Sequence, residues 1–175
     1  MKKYRISKYN PMNRDDLGNY KINDWTSYSD IGKEFNHKVF SVDEYISVED
    51  KYIQILKMIL QEENIEKLIL KDLEKNFNVS EIAKFLNDYN LSLSIKEKEL
   101  FKFVTNGVEI FLADVNAITR LLLRECLWCR LKSPEDDLDI EIGYDYYMYI
   151  SCMEMSKVAL EYINTSYMFI EELND

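Results

Sequence analysis

Residues 138–150, LDIEIGYDYYMYI, decide the fold when they are read as a single β-strand. Side chains along a strand point alternately to opposite faces. Leu138, Ile140, Ile142, Tyr144, Tyr146, Met148 and Ile150 then share one face, with nothing charged among them. Asp139, Glu141, Gly143, Asp145, Tyr147 and Tyr149 share the other. One strand thus offers a core-quality face and, behind it, a face of acids and tyrosines. Tyrosine supplies stiff contact area with a polar tip, the chemistry favoured where proteins meet proteins. Two readings of this second face stand side by side. Either Tyr147 and Tyr149 lie beneath a helix and the acids are solvated, or the face docks a partner.

Upstream, Ser133-Pro134-Glu135-Asp136-Asp137 reads as a turn into this strand. Glu135, Asp136, Asp137, Asp139 and Glu141 follow one another with no Lys or Arg between them. Before the turn, Val115, Ile118, Leu121, Leu122, Cys126 (or Glu125), Cys129 and Leu131 recur at helical spacing, with Asp114 placed to cap. This predicts one apolar helix running through LLLRECLWCRL and stopping before Pro134. Within it, Arg124-Glu125 is either a buried, paired charge, or Arg124 snorkels outward while Glu125 bonds a neighbouring loop. Further upstream, LFKFV (100–104) and VEIFL (108–112) flank Thr105-Asn106-Gly107, and Asn-Gly predicts a hairpin. Ser80 is placed to cap a short helix bearing Ile82, Phe85, Leu86 and Tyr89. Residues 65–73 suit a strand or a helical turn, and the strand reading over 67–73 is preferred.

Ser41-Val-Asp-Glu44 is a capping box opening a helix over 42–62, with acids in the first turn where the helix dipole favours them. Residues 3–9 alternate as a first strand. Residues 10–37 form a long polar loop carrying Asp24 and Trp25. Residues 155–162 read as a last helix and 167–171 as a last strand. The fold that follows is α+β, a single domain over 1–175, with an antiparallel or mixed sheet of about four to six strands packed against three to four helices.

With 175 residues, 47% hydrophobic content, four Gly and two Pro, the chain can bury a sizeable core with long elements and few breaks. Its net charge of −10 disfavours nucleic acid and anionic membranes and favours a basic protein partner. Acidity for solubility alone is the plainer alternative. The basic start Met1-Lys2-Lys3 is not followed by an apolar leader segment, and no apolar run approaches the ~18 residues of a membrane span, so a cytoplasmic protein is expected. Cys126, Cys129 and Cys152 are expected to be buried thiols rather than disulfides or metal ligands. Phosphate-loop, dinucleotide-binding and nucleophile-elbow motifs are missing. His37 has no evident nucleophile to serve, so neither catalysis nor a cofactor is expected.

Three segments occur in order: YRISKYNPMNRDDLGNYKINDWTSYSDIG (4–32), LLLRECLWCRL (121–131) and IGYDYYMYI (142–150). Together they resemble a group of small bacterial proteins that serve as immunity partners of polymorphic or contact-dependent toxins. The resemblance spans most of the chain and is least clear in the C-terminal YMFIEELND. It implies a protein that binds a cognate basic toxin, of which a nuclease is one kind, and neutralises it stoichiometrically. The expected contacts are Asp136, Asp137, Asp139, Glu141, Asp145, Tyr147 and Tyr149, with Asp24 and Trp25 second. Trp25 serves equally as a plug fastening the long loop to the core. Another reading is a small regulatory or ligand-binding domain with an aromatic pocket lined by Tyr144 or Tyr146 and the Cys126–Trp128 helix. A hydrolase using buried carboxylates is a third.

Overall fold

The stretch 138–150 does not run straight; it doubles back. The computed structural model describes residues 1–143 and 145–173. In chain order the elements begin with β1 (Lys2–Ser7), β2 (Glu34–Phe35), β3 (Lys38–Val39), α1 (Val42–Glu62) and β4 (Lys67–Glu74). They continue with α2 (Val79–Asn87), α3 (Ile95–Phe103), β5 (Glu109–Phe111), α4 (Val115–Leu123) and β6 (Trp128–Lys132). The chain ends with β7 (Asp139–Ile142), β8 (Met148–Cys152), α5 (Lys157–Thr165) and β9 (Phe169–Leu173).

β7 and β8 are the two arms of a hairpin, with Ile142 opposite Met148 and Asp139 opposite Ser151. The Gly143 amide donates to the Tyr147 carbonyl at 2.8 Å, and Tyr146 takes a φ of 62°. One residue in the left-handed region is enough to end a strand. The two faces nevertheless come out as the alternation placed them. Opposed residues of an antiparallel pair lie on the same side of the sheet, and here they are always an even number apart. Tyr144 lies outside the described residues.

Seven antiparallel strands form one sheet in the order β5-β4-β6-β7-β8-β1-β9, more than the sequence predicted. Among the described residues five α-helices accompany it, again more than expected. The extra helix is α3, which occupies 100–103 where a hairpin arm was expected. Ser94 and Glu97 form its capping box. Asn106-Gly107 does turn the chain, with Gly107 at φ 84°, but from a helix into β5. α1 starts from the Ser41–Glu44 box as expected, whereas α2 is capped by Asn78 and not by Ser80.

The long apolar helix expected through residue 131 stops at Leu123. Glu125, at φ 53°, is the reason. Its amide donates to the Leu122 carbonyl (3.0 Å), and that of Cys126 to the Leu121 carbonyl (2.9 Å). This is the Schellman closure, in which a left-handed residue just past the helix satisfies the last carbonyls. Tyr167 (φ 59°) closes α5 in the same way, with the Met168 amide bonded to the Ile163 carbonyl at 3.0 Å, so β9 begins two residues later than expected. Asn64 and Asn90 close α1 and α2. Glycine usually fills this position; this chain has only four.

One face of the sheet carries the core. Tyr4, Ile6, Leu68, Leu70, Ile110, Cys129, Leu131, Ile140, Ile142, Met148 and Ile150 are buried in one cluster with residues of all five helices. On the opposite face of the strands only Ser7 is buried. The long loop, residues 8–33, wraps from that open side round to the helix side.

Candidate functional site

The open sheet face is built by register. Glu171, Arg5, Tyr149, Glu141, Arg130 and Lys71 lie in one row across six strands. A parallel row runs through Leu173, Lys3, Ser151, Asp139, Lys132 and Ile69. The hairpin therefore sets Tyr149 directly opposite Glu141, far closer than a single strand would allow. Neither Tyr147 nor Tyr149 lies beneath a helix. Their rings are 6.2 Å apart, and cations sit over them: Lys3 over Tyr149, Arg5 and Arg14 over Tyr147.

The acids are less free than their sequence suggests. Asp139 bonds Arg130 and lies 3.7 Å from Lys132, while Asp136 lies 3.2 Å from Lys132. Both cations come from β6, which the alignment of strands places opposite β7; no reading of residues 135–141 alone could supply them. Glu141 faces Arg130 across the same ladder. The Asp137 carboxylate accepts from the Ser133 hydroxyl. Elsewhere acids do gather: Glu63 and Glu66, from the link between α1 and β4, line a groove with Glu135 and Asp137. Glu154 joins Glu63 and Asp137 in an adjoining hollow. These added carboxylates, remote in sequence, were not visible as part of the patch.

At the other end of the hairpin, Asp145 is exposed and Asp24 accepts from Lys8 at 2.6 Å. The Lys8 ammonium sits 4.1 Å from the centroids of both Tyr9 and Trp25, and burial pulls its pKa down to about 8 against the opposing pull of Asp24. Trp25 is buried and stacks on Phe40 at 4.4 Å, with Tyr45 and Tyr146 also against it. It is the plug of the loop and offers no contact surface, which corrects its place among the expected contacts.

At Tyr146 and Trp128 the aromatic pocket expected by the ligand-binding reading is not open, and Tyr144 lies outside the described residues. Tyr146 is fully enclosed by Trp25, Tyr45 and Tyr52, and Trp128 belongs to β6 rather than a helix. The hollow beside Cys126 and Trp128 holds only about 40 Å³, against the ~300 Å³ or more of ordinary ligand sites. The three thiols are buried, which pushes their pKa values up to about 12, 12 and 11 for Cys126, Cys129 and Cys152. Among the described residues, no group of three or more His, Cys, Asp or Glu is placed to hold a metal ion. His37 stands exposed at the tip of the β2–β3 hairpin, with Asn36 and His37 both at positive φ as a two-residue primed turn requires.

Among the described residues two carboxylates are buried: Glu97, which accepts from the Ser94 amide as part of a capping box, and Glu49. Arg124 grips both oxygens of Glu49 at 2.7 and 2.8 Å and donates a further bond to the Ser92 carbonyl at 2.8 Å. Arg124 is therefore buried and paired, which decides between the two readings of that residue. Burial alone would lower its pKa; the bonds and charge of Glu49 hold it above the usual arginine value. Glu125, in contrast, is exposed.

Compared with protein-family models, curated proteins and solved structures, the chain matches none. Among the described residues no helix is long and apolar enough to cross a membrane.

Proposed function

We propose that this chain is a stoichiometric binding protein of the immunity kind, which neutralises a basic toxin domain by docking against it. The observation that carries the reading is the one-sided sheet. The five helices among the described residues share a core with one face, while the other presents two rows of eight charged side chains together with Tyr149, Ser151, Ile69 and Leu173. An antiparallel sheet with a wet face is ordinary, but this one displays Tyr147 and Tyr149 on it and ends at an acidic groove. The rows themselves carry five cations against three acids, so the steering potential comes from the acidic end and from the net charge of −10. Affinity would rest on the tyrosines, the residues that carry interface energy when desolvated.

Association kinetics test this. Glu66→Gln combined with Asp137→Asn should slow binding of the toxin about three- to tenfold in dilute buffer, with the difference vanishing at high salt. Tyr149→Ala should raise the dissociation rate instead. Unchanged rates for both variants would overturn the proposal.

A further inference from the structure

We propose that a cleft between the long loop and the β7–β8 turn binds a small organic anion: a carboxylate or phosphate ester carried on a planar ring. The cleft shares Arg5, Glu171 and Tyr147 with the open face of the sheet, but the proposal does not depend on the protein-docking reading.

Beside this cleft the charges are uneven in a sheltered place. Arg5 and Arg14 both sit over the Tyr147 ring, at 5.1 and 5.5 Å, and both lean on one carboxylate, Glu171. Arg5 takes that carboxylate in a two-pronged grip at 3.0 and 2.9 Å, leaving Arg14 at 3.5 Å. The remaining bonds of Arg14 go to neutral acceptors, the Gly18 carbonyl at 3.1 Å and the Tyr147 hydroxyl at 3.2 Å. Its Nε is buried with no acceptor among the described residues. The side chains of Arg5, Arg14 and Glu171 are only 20, 12 and 20% exposed. Two guanidinium groups thus share one carboxylate where water screens poorly, and an incomplete arrangement of this kind is costly until a second anion completes it.

The space for that anion adjoins them. The cleft holds about 420 Å³, within the ~300–1,000 Å³ usual for small-molecule sites. Tyr9, Tyr20 and Tyr147 supply ring walls, with Ile22 at the side and Asn19 and Thr26 as further polar groups. Two acids also line it. Asp24 is already held by Lys8, and Asp145 stands exposed with no ion pair among the described residues. Asp145 therefore opposes an entering anion from the rim, which gives the proposal a test of sign.

Calorimetric titration of the whole chain at low salt, with adenosine monophosphate, benzoate and inorganic phosphate as probes, decides the matter. At least one ring-bearing anion should bind saturably, and inorganic phosphate roughly tenfold more weakly or not at all. Preference for the nucleotide assigns a phosphate ester, and preference for benzoate a carboxylate. Arg14→Gln should weaken binding roughly tenfold or more. Asp145→Asn, a surface change that leaves the fold alone, should tighten it about two- to fivefold. No saturable binding of either ring anion, phosphate binding as tightly as they do, or weaker binding in Asp145→Asn would each overturn the proposal.

Discussion

Replacing Glu49 with alanine isolates the buried ion pair between Glu49 and Arg124. Glu49 is wholly buried and Arg124 only 7% exposed, and the change strips two short bonds from the guanidinium while leaving its charge in place. Removing one partner from a buried pair costs about 3–5 kcal/mol, because the other charge is left desolvated. That is a large share of the ~5–15 kcal/mol that holds an ordinary domain folded. A domain of this size loses about 2–4 °C of Tm per kcal/mol, so a fall of about 6–20 °C is expected by scanning calorimetry. Arg120, 3.3 Å from the same carboxylate but 31% exposed, can turn to Asp50 and water and so adds little. The paired change Glu49→Leu with Arg124→Leu removes both charges and should recover much of the loss. If Glu49→Ala costs under ~1 kcal/mol, the value of an exposed pair, the buried-pair reasoning is wrong. A double variant no more stable than the single one would refute it equally.

The left-handed cap at Tyr167 is 84% exposed, so Tyr167→Gly surrenders little packing and relieves backbone strain; urea titration should show a gain of about 0.5–1 kcal/mol, and a loss would mean the ring packs in solution. Lys8 has its pKa lowered from 10.5 to about 8, so in that pH window the unfolded chain binds a proton that the folded chain does not. Stability relative to Lys8→Met should therefore rise between those pH values, and parallel pH profiles for the two proteins would contradict its burial. The three thiols, buried and hard to ionise, should resist a thiol reagent at neutral pH in the native state and react in denaturant; immediate labelling of even one would place it at the surface.

The α+β class and the two faces of 138–150 could be read from residue alternation, because parity survives a hairpin whose opposed residues are an even number apart. The hairpin itself could not, since its reversal depends on Tyr146 at positive φ, where pattern reading looks for glycine. The same blindness hid the end of α4 at Glu125 and displaced β9 past Tyr167. A capping box revealed α1 at once, whereas an equally good one at Ser94–Glu97 opens α3 over residues that the Asn106-Gly107 signal assigned to a hairpin arm. In the candidate site, Tyr147 and Tyr149 were found because their spacing put them on one face. The neutralising Arg130 and Lys132 and the added Glu63, Glu66 and Glu154 were not, since only strand order and chain return bring them beside residues 135–141.

We place the basic polypeptide on the open face of the sheet, and not on the helical side. Amide hydrogen exchange on the complex with the toxin tests it most directly. Protection should rise along 128–132, 139–142 and 148–152 and in the turn at 134–137, with a one-to-one complex by mass. Protection confined to α2, α3 or α5 would contradict the account.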